Sequence, residues 1–172
     1  MTPASPHVWL RGPVEGVPPL LQPAAHALLQ TREDVRALAA GLSLAALHAR
    51  PGGSASVAFH LLHLAGATHR LFTYANGDGL SETQQANLAQ ERSGPDPSMD
   101  AESLVRLAEE SIDRALAQLR ATPESQLLLP RRVGAAGHPS TVLGLLFHAA
   151  EHAARHAGQI ATLVKVVGTT AT

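Results

Sequence analysis

The chain has no cysteine, which removes disulfides, thiolate metal ligands and a protein thiol nucleophile. A soft-metal site would therefore have to be assembled from histidine and carboxylates. Aromatic residues make up only 3% of the chain and β-branched runs are scarce, while alanine and leucine dominate, which favours helix almost throughout. One lysine accompanies twelve arginines, the net charge is −1, and there is no basic run. This balance argues against nucleic acid as a partner. No apolar run reaches membrane-spanning length, so no membrane partner is expected. The stretch from Met1 to Pro19 is rich in proline and glycine and does not read as a signal segment. Cytoplasm is the expected compartment.

What remains is a chain of 172 residues, 45% hydrophobic, long enough to bury a real core as one domain. Residues 1–17 read as an irregular N-terminal arm laid across the domain, 18–168 as a single domain and 169–172 as a C-terminal tail. Long helices are expected near 18–42, 54–76, 98–121 and 140–167, with no sheet. The first shows Ala24, Leu28, Val35, Leu38 and Leu42 on one face. A short helical turn at Ser43–Ala49 follows, closed by the Arg-Pro-Gly-Gly breaker at 50–53. The second helix is apolar nearly all round, as expected for a helix buried on more than one side. Ser81 with Gln84 forms a capping-box pattern for a short helix running to about Glu91. In the third long helix Ala101, Leu104, Ala108, Ile112, Ala115 and Leu119 form the dry face. Residues 122–139 read as a long connection. The fold class that follows is all-α, a four-helix bundle with a short extra helix between helices 2 and 3.

Ten histidines are present, and six lie on two predicted helices. The organising stretch is Ser140 to Val167. At about 100° per residue, Val142, Leu146, Ala149, Ala153, Ile160, Leu163, Val164 and Val167 form an apolar stripe, with Glu151, Arg155 and Thr162 opposite. His156 falls inside the stripe and His152 at its edge. His148 diverges from His156 by roughly 80°. Histidines at i and i+4 can chelate one divalent ion, with further ligands from a neighbouring helix. The spacing alone is equally that of hydrogen-bonded histidines on a polar edge. On the second helix, His60 and His63 lie on nearly the same face, and either could supply a third imidazole. His69 points away from His63 by about 240°. Three histidines with open positions is the arrangement of a catalytic rather than a closed structural site.

The segments HLAGATHRL on helix 2 and EHAARHAGQI on helix 4 together resemble the DinB/YfiT-like superfamily of bacterial four-helix bundles, over about residues 18–166. Members typically carry one histidine in an H-[LIV]-A segment and H-x-x-x-H followed by G-Q-I or A-H-I. The resemblance implies that His63, His152 and His156 are metal ligands; it does not imply DNA binding. Many relatives carry Asp or Glu about three residues after the helix-2 histidine, where this chain has Gly66 and Ala67. His60 and His148 are then the candidates to stand in for that carboxylate, or to line the site without ligating. Arg131 and Arg132 are candidates to hold an anionic group, or simply solvated loop charges. Glu151 is expected to face solvent.

The resemblance further implies a metal-dependent enzyme. The expected cofactor is a divalent ion, Zn²⁺ first, with Ni²⁺ or Fe²⁺ compatible. Thiol-dependent S-transfer to a small electrophile is the leading expectation. With no cysteine in the protein, the thiol would be a low-molecular-weight cosubstrate. Hydrolysis through a metal-activated water and a non-catalytic metal-binding or dimerisation module are the alternatives. A small-molecule substrate and a homodimer are the expected partners.

Overall fold

The computed structural model describes residues 6–169. In chain order the helices are α1 (Gln22–Ala39), α2 (Leu44–His48), α3 (Val57–Asn76), α4 (Glu82–Ser93), α5 (Ala101–Ala121) and α6 (Val142–Thr169). The long helices α1, α3, α5 and α6 form the bundle. Both α1 and α3 pack against α5 and α6, so α1 and α3 occupy one diagonal and α5 and α6 the other. Leu28 and Val35 on α1, Leu61 and Leu64 on α3, Leu104, Ile112 and Leu119 on α5, and Leu146 and Ile160 on α6 are fully buried between them. Within each helix these positions are spaced three, seven, eight or fourteen residues apart, close to whole turns, as on one face of an amphipathic helix. No helix among the described residues is long and apolar enough to cross a membrane.

Helix ends are set by local chemistry. The Ser56 hydroxyl accepts from the Phe59 amide at the start of α3, and the Asp100 carboxylate accepts from Ser103 at the start of α5. Each satisfies a donor that the helix cannot. α3 ends at Gly77, whose φ of 93° is left-handed and whose amide returns to the carbonyls of Thr73 and Tyr74. Such a conformation is open to glycine at no steric cost. Arg131 donates to the Ala75 carbonyl at 2.7 Å, so it closes the same helix end. Arg132 donates to the Gly137 carbonyl at 3.0 Å. Both arginines are therefore engaged with backbone oxygens.

The connection before α6 corrects the expectation of no sheet. It holds an antiparallel hairpin, β1 (Pro130–Val133) with β2 (His138–Thr141), pairing Arg131 with Ser140 and Val133 with His138. The hairpin turns between Gly134 and Gly137, both at positive φ, with the Gly137 amide bonded to the Gly134 carbonyl. Neither strand alternates apolar and polar residues, and neither contains a buried residue, so the sequence has no period-two signal. The Gly-Ala-Ala-Gly turn is the one mark that could have announced it. The hairpin leads straight into α6, where the Thr141 hydroxyl accepts from the Gly144 amide at 3.0 Å.

The arm lies against α1. Val8 and Val17 are buried, the Val8 amide donates to the Gln30 side chain at 3.0 Å, and Arg11 forms a two-point pair with Glu33. Residues 1–5 and 170–172 lie outside the described residues, and with them the outer part of the expected arm and most of the expected tail.

Because Ile112 is fully buried, Ile112→Ala should cost about 2–5 kcal/mol of unfolding free energy. Leu128, 78% exposed, should tolerate alanine within about 0.5 kcal/mol. Urea denaturation of the two variants checks this contrast.

Candidate metal centre

The site is built where α3 and α6 face each other. α3 supplies His60 and His63, and α6 supplies His152 and His156. His63, His152 and His156 each offer a ring nitrogen, and the three nitrogens lie within 4.8 Å of one another. Ring centroids are 4.8 Å apart for His63 and His156, 5.1 Å for His63 and His152, and 4.5 Å for His152 and His156. Nitrogen ligands on a tetrahedral ion at about 2.0–2.1 Å sit roughly 3.3 Å apart. Closing these rings on an ion therefore asks for small side-chain rotations and no backbone rearrangement.

Burial acts on the two α6 rings in one direction. It pushes His156 down to about 3 and His152 down to about 4, and the neighbouring imidazoles and Arg155 push the same way. His60 is also lowered, by burial first and His63 second. Disfavouring the charged form leaves His60, His152 and His156 neutral at neutral pH, and neutral imidazole is the form that ligates. The donor set of neutral imidazoles without thiolate fits Zn²⁺, Ni²⁺ or Fe²⁺.

The other histidines divide clearly. His60 Nδ1 lies 2.9 Å from His156 Nδ1, so one of the two carries the shared proton. His60 therefore supports a candidate ligand and also lines a cleft of ≈ 530 Å³ with Ala55, Arg155, Gln159, Thr162 and Leu163. His148 is half exposed and lies 3.4 Å from Glu151, one ring away from the cluster beside His152. Glu151 pairs at 2.6 Å with Arg155. His69 borders a separate small cavity with Arg114 and Ser111. The rings of Phe59 and His63 are stacked, 5.5 Å apart and nearly parallel, which restrains the plane of the His63 ring.

One residue of the site was not foreseen. Glu91, at the end of α4, is 4% exposed and accepts from His63 Nδ1 at 2.9 Å. It also accepts from Arg70, through Nη1 on Oε1 and through Nη2 on Oε2 at 3.0 Å. Burial pushes the Glu91 carboxyl upward, but the hydrogen bonds from His63 and Arg70 and their charges outweigh it, and the net direction is down. A carboxylate therefore does stand over Gly66, although the local sequence carries none there. The capping pattern at Ser81 and Gln84 marked the helix that bears Glu91. No sequence signal marks its return to His63 on α3.

A helical bundle with a three-histidine cluster across two of its long helices defines the class. Within that class the assignment is specific: the family model of the DinB superfamily matches residues 27–160, which include every histidine of the cluster and Glu91. The chain belongs to the DinB superfamily. None of the curated proteins compared with it matches.

The lowered histidines give a pH prediction for the metal-free protein. As pH falls, the unfolded chain takes up protons near the ordinary imidazole value of about 6.5, while His152 and His156 in the fold stay neutral until about 4 and 3. The unfolded state binds more protons across that window, so stability falls as pH falls and is level above it. Urea midpoints should drop between about pH 7 and pH 5, before most carboxylates titrate. The drop should be smaller in His156→Ala.

Proposed function

We propose that this chain is a metal-dependent enzyme whose ion is held by His63, His152 and His156, and that it transfers a low-molecular-weight thiol to a small electrophile. The observation that carries the reading is the convergence of three imidazoles, joined through the His60–His156 contact to a cleft that His60 lines. A bound divalent ion would supply Lewis acidity, lowering the pKa of a thiol or water brought beside it. The protein's own groups would do the rest. His63, His152 and His156 bind the ion as neutral ligands. His60, on the cleft wall and neutral at neutral pH, can accept a proton from a group entering the cleft. Ala55 and Leu163 supply apolar surface for the electrophile, and Gln159 and Thr162 supply hydrogen-bonding groups.

Hydrolysis is the second reading, favoured by His60, since an imidazole at the cleft can serve as general base towards water. Glu91 is poorly suited to that task, because Arg70 and His63 occupy both of its oxygens. The absence of cysteine supports a soluble thiol as the nucleophile in the first reading.

Purified protein is expected to carry one divalent ion per chain. His63→Ala and His156→Ala should lose most of it, while His148→Ala should retain it. Elemental analysis of the four proteins checks this assignment, and full metal content in His63→Ala would end it. The metal-loaded protein should consume a chromogenic electrophile only when a thiol is added. Ester cleavage without thiol would favour hydrolysis, and inactivity in both assays would leave a binding module.

A further inference from the structure

We infer that Glu91 is a positioning residue for the metal centre: held in place by Arg70, it fixes the proton of His63 on Nδ1 and so presents Nε2 to the ion. The inference rests on the metal reading above. Three independent features of the structure converge on it.

The first is the completeness of the carboxylate's engagement. Glu91 is 4% exposed, and both of its oxygens are engaged, by the two Arg70 nitrogens and His63 Nδ1. A carboxylate accepts only, so the His63 proton must lie on Nδ1, and the remaining ring nitrogen is the free one. Arg70, itself 9% exposed, pins the carboxylate from behind with a planar two-point grip. The second feature is the slot at Gly66. A Cβ built there would lie 1.9 Å from Glu91 Oε1, 2.7 Å from Arg70 Nη1 and 3.0 Å from Glu91 Cδ. Only a residue without a side chain lets the carboxylate rest against α3. This glycine is helical and lies outside the positive-φ set, so space and not backbone conformation requires it.

The third feature is the docking of α4 as a whole. Its N-terminus is closed by the Ser81–Gln84 capping box, and Gln84 Nε2 donates to the Thr73 hydroxyl on α3 at 2.7 Å. Glu91 follows seven residues later, two turns on and on the same face. Gln84 and Glu91 are the two buried residues of this helix. α4 is thus anchored on α3 at both ends by polar groups, and one anchor is the His63 partner. Outer carboxylates on metal-bound histidines orient the ring and set its tautomer, and their loss typically lowers metal affinity about 10–100-fold.

The test compares wild type with Gly66→Ala, with the double variant Glu91→Ala/Arg70→Met, and with Glu91→Gln in the Arg70→Met background. The double variant leaves no unpaired buried cation, and Gly66→Ala keeps both charges while pushing the carboxylate off its seat. Long-range ¹H–¹⁵N spectra of the metal-free proteins at about pH 8, where imidazole is neutral, read the His63 tautomer. Titration with Zn²⁺ against a chelator reads affinity, and circular dichroism reports the fold. Wild type should show the Nδ1–H form. Gly66→Ala and the double variant should lose that preference and bind Zn²⁺ about 10–100-fold more weakly with helix content retained. Glu91→Gln in the Arg70→Met background, where the amide oxygen still accepts from Nδ1 and no guanidinium faces the amide nitrogen, should keep the tautomer and most of the affinity. Unchanged tautomer and affinity in folded Gly66→Ala and double variant, with wild type binding Zn²⁺, would overturn the positioning role alone. Wild type that binds no Zn²⁺ would overturn the metal reading beneath it, whatever the tautomer does.

Discussion

The packing of α3 against α6 is the contact on which both the core and the site depend. Each helix brings large apolar residues to the interior, Leu61 and Leu64 on one and Leu146 and Ile160 on the other, and the burial of that surface drives the two together. The same approach buries His60 and partly covers His63, His152 and His156. Removing polar rings from solvent is unfavourable unless each finds a partner, and the cluster answers with the His60–His156 contact and the His63–Glu91 hydrogen bond. Apolar packing thus supplies the free energy that holds titratable groups in an environment they would not choose. The depressed basicity of His60, His152 and His156 follows from that constraint, and it keeps these rings in the neutral form that a metal ion requires.

Which parts of this arrangement could be read from the sequence follows from the range of the interactions involved. The long helices announce themselves because their buried positions repeat at 3.6 residues, and α6 shows this most plainly through Val142, Leu146, Ala149, Ala153 and Ile160. The short α4 was legible through its cap, a contact spanning three residues. The convergence of His63 with His152 and His156 was accessible because helical spacing and a family motif agree. By contrast, the hairpin at 130–141 depends on pairing Arg and Pro-containing segments with no face to bury. Arg131 was an ambiguous loop charge until its partner, a carbonyl 56 residues away, came into view. Along the chain Glu91 marks only the end of the short capped helix. Its partners lie 21 and 28 residues upstream on another helix, and no local pattern encodes that.

Gly66 shows how an apparent loss in a sequence can be a displacement in space. Read along the chain, the position lacks a carboxylate. In three dimensions a carboxylate occupies the volume above it, delivered from α4, which packs back onto α3. The small residue and the distant acid form one unit, since enlarging the first evicts the second.

The mode of attachment of α4 has a thermodynamic corollary. Gln84 and Glu91 are its buried residues, with Leu88 only partly covered, so this helix is fastened by hydrogen bonds and an ion pair far more than by apolar contact. Denaturant sensitivity and heat capacity both scale with the surface exposed on opening, and the heat-capacity increment comes chiefly from its apolar part. Lifting α4 away would expose little apolar surface, and it would free the His63 ring without disturbing the bundle core. Such an opening would be nearly invisible to calorimetry and to bulk denaturation. It would stand out in amide exchange, where residues 82–93 would trade protons by an excursion separate from global unfolding.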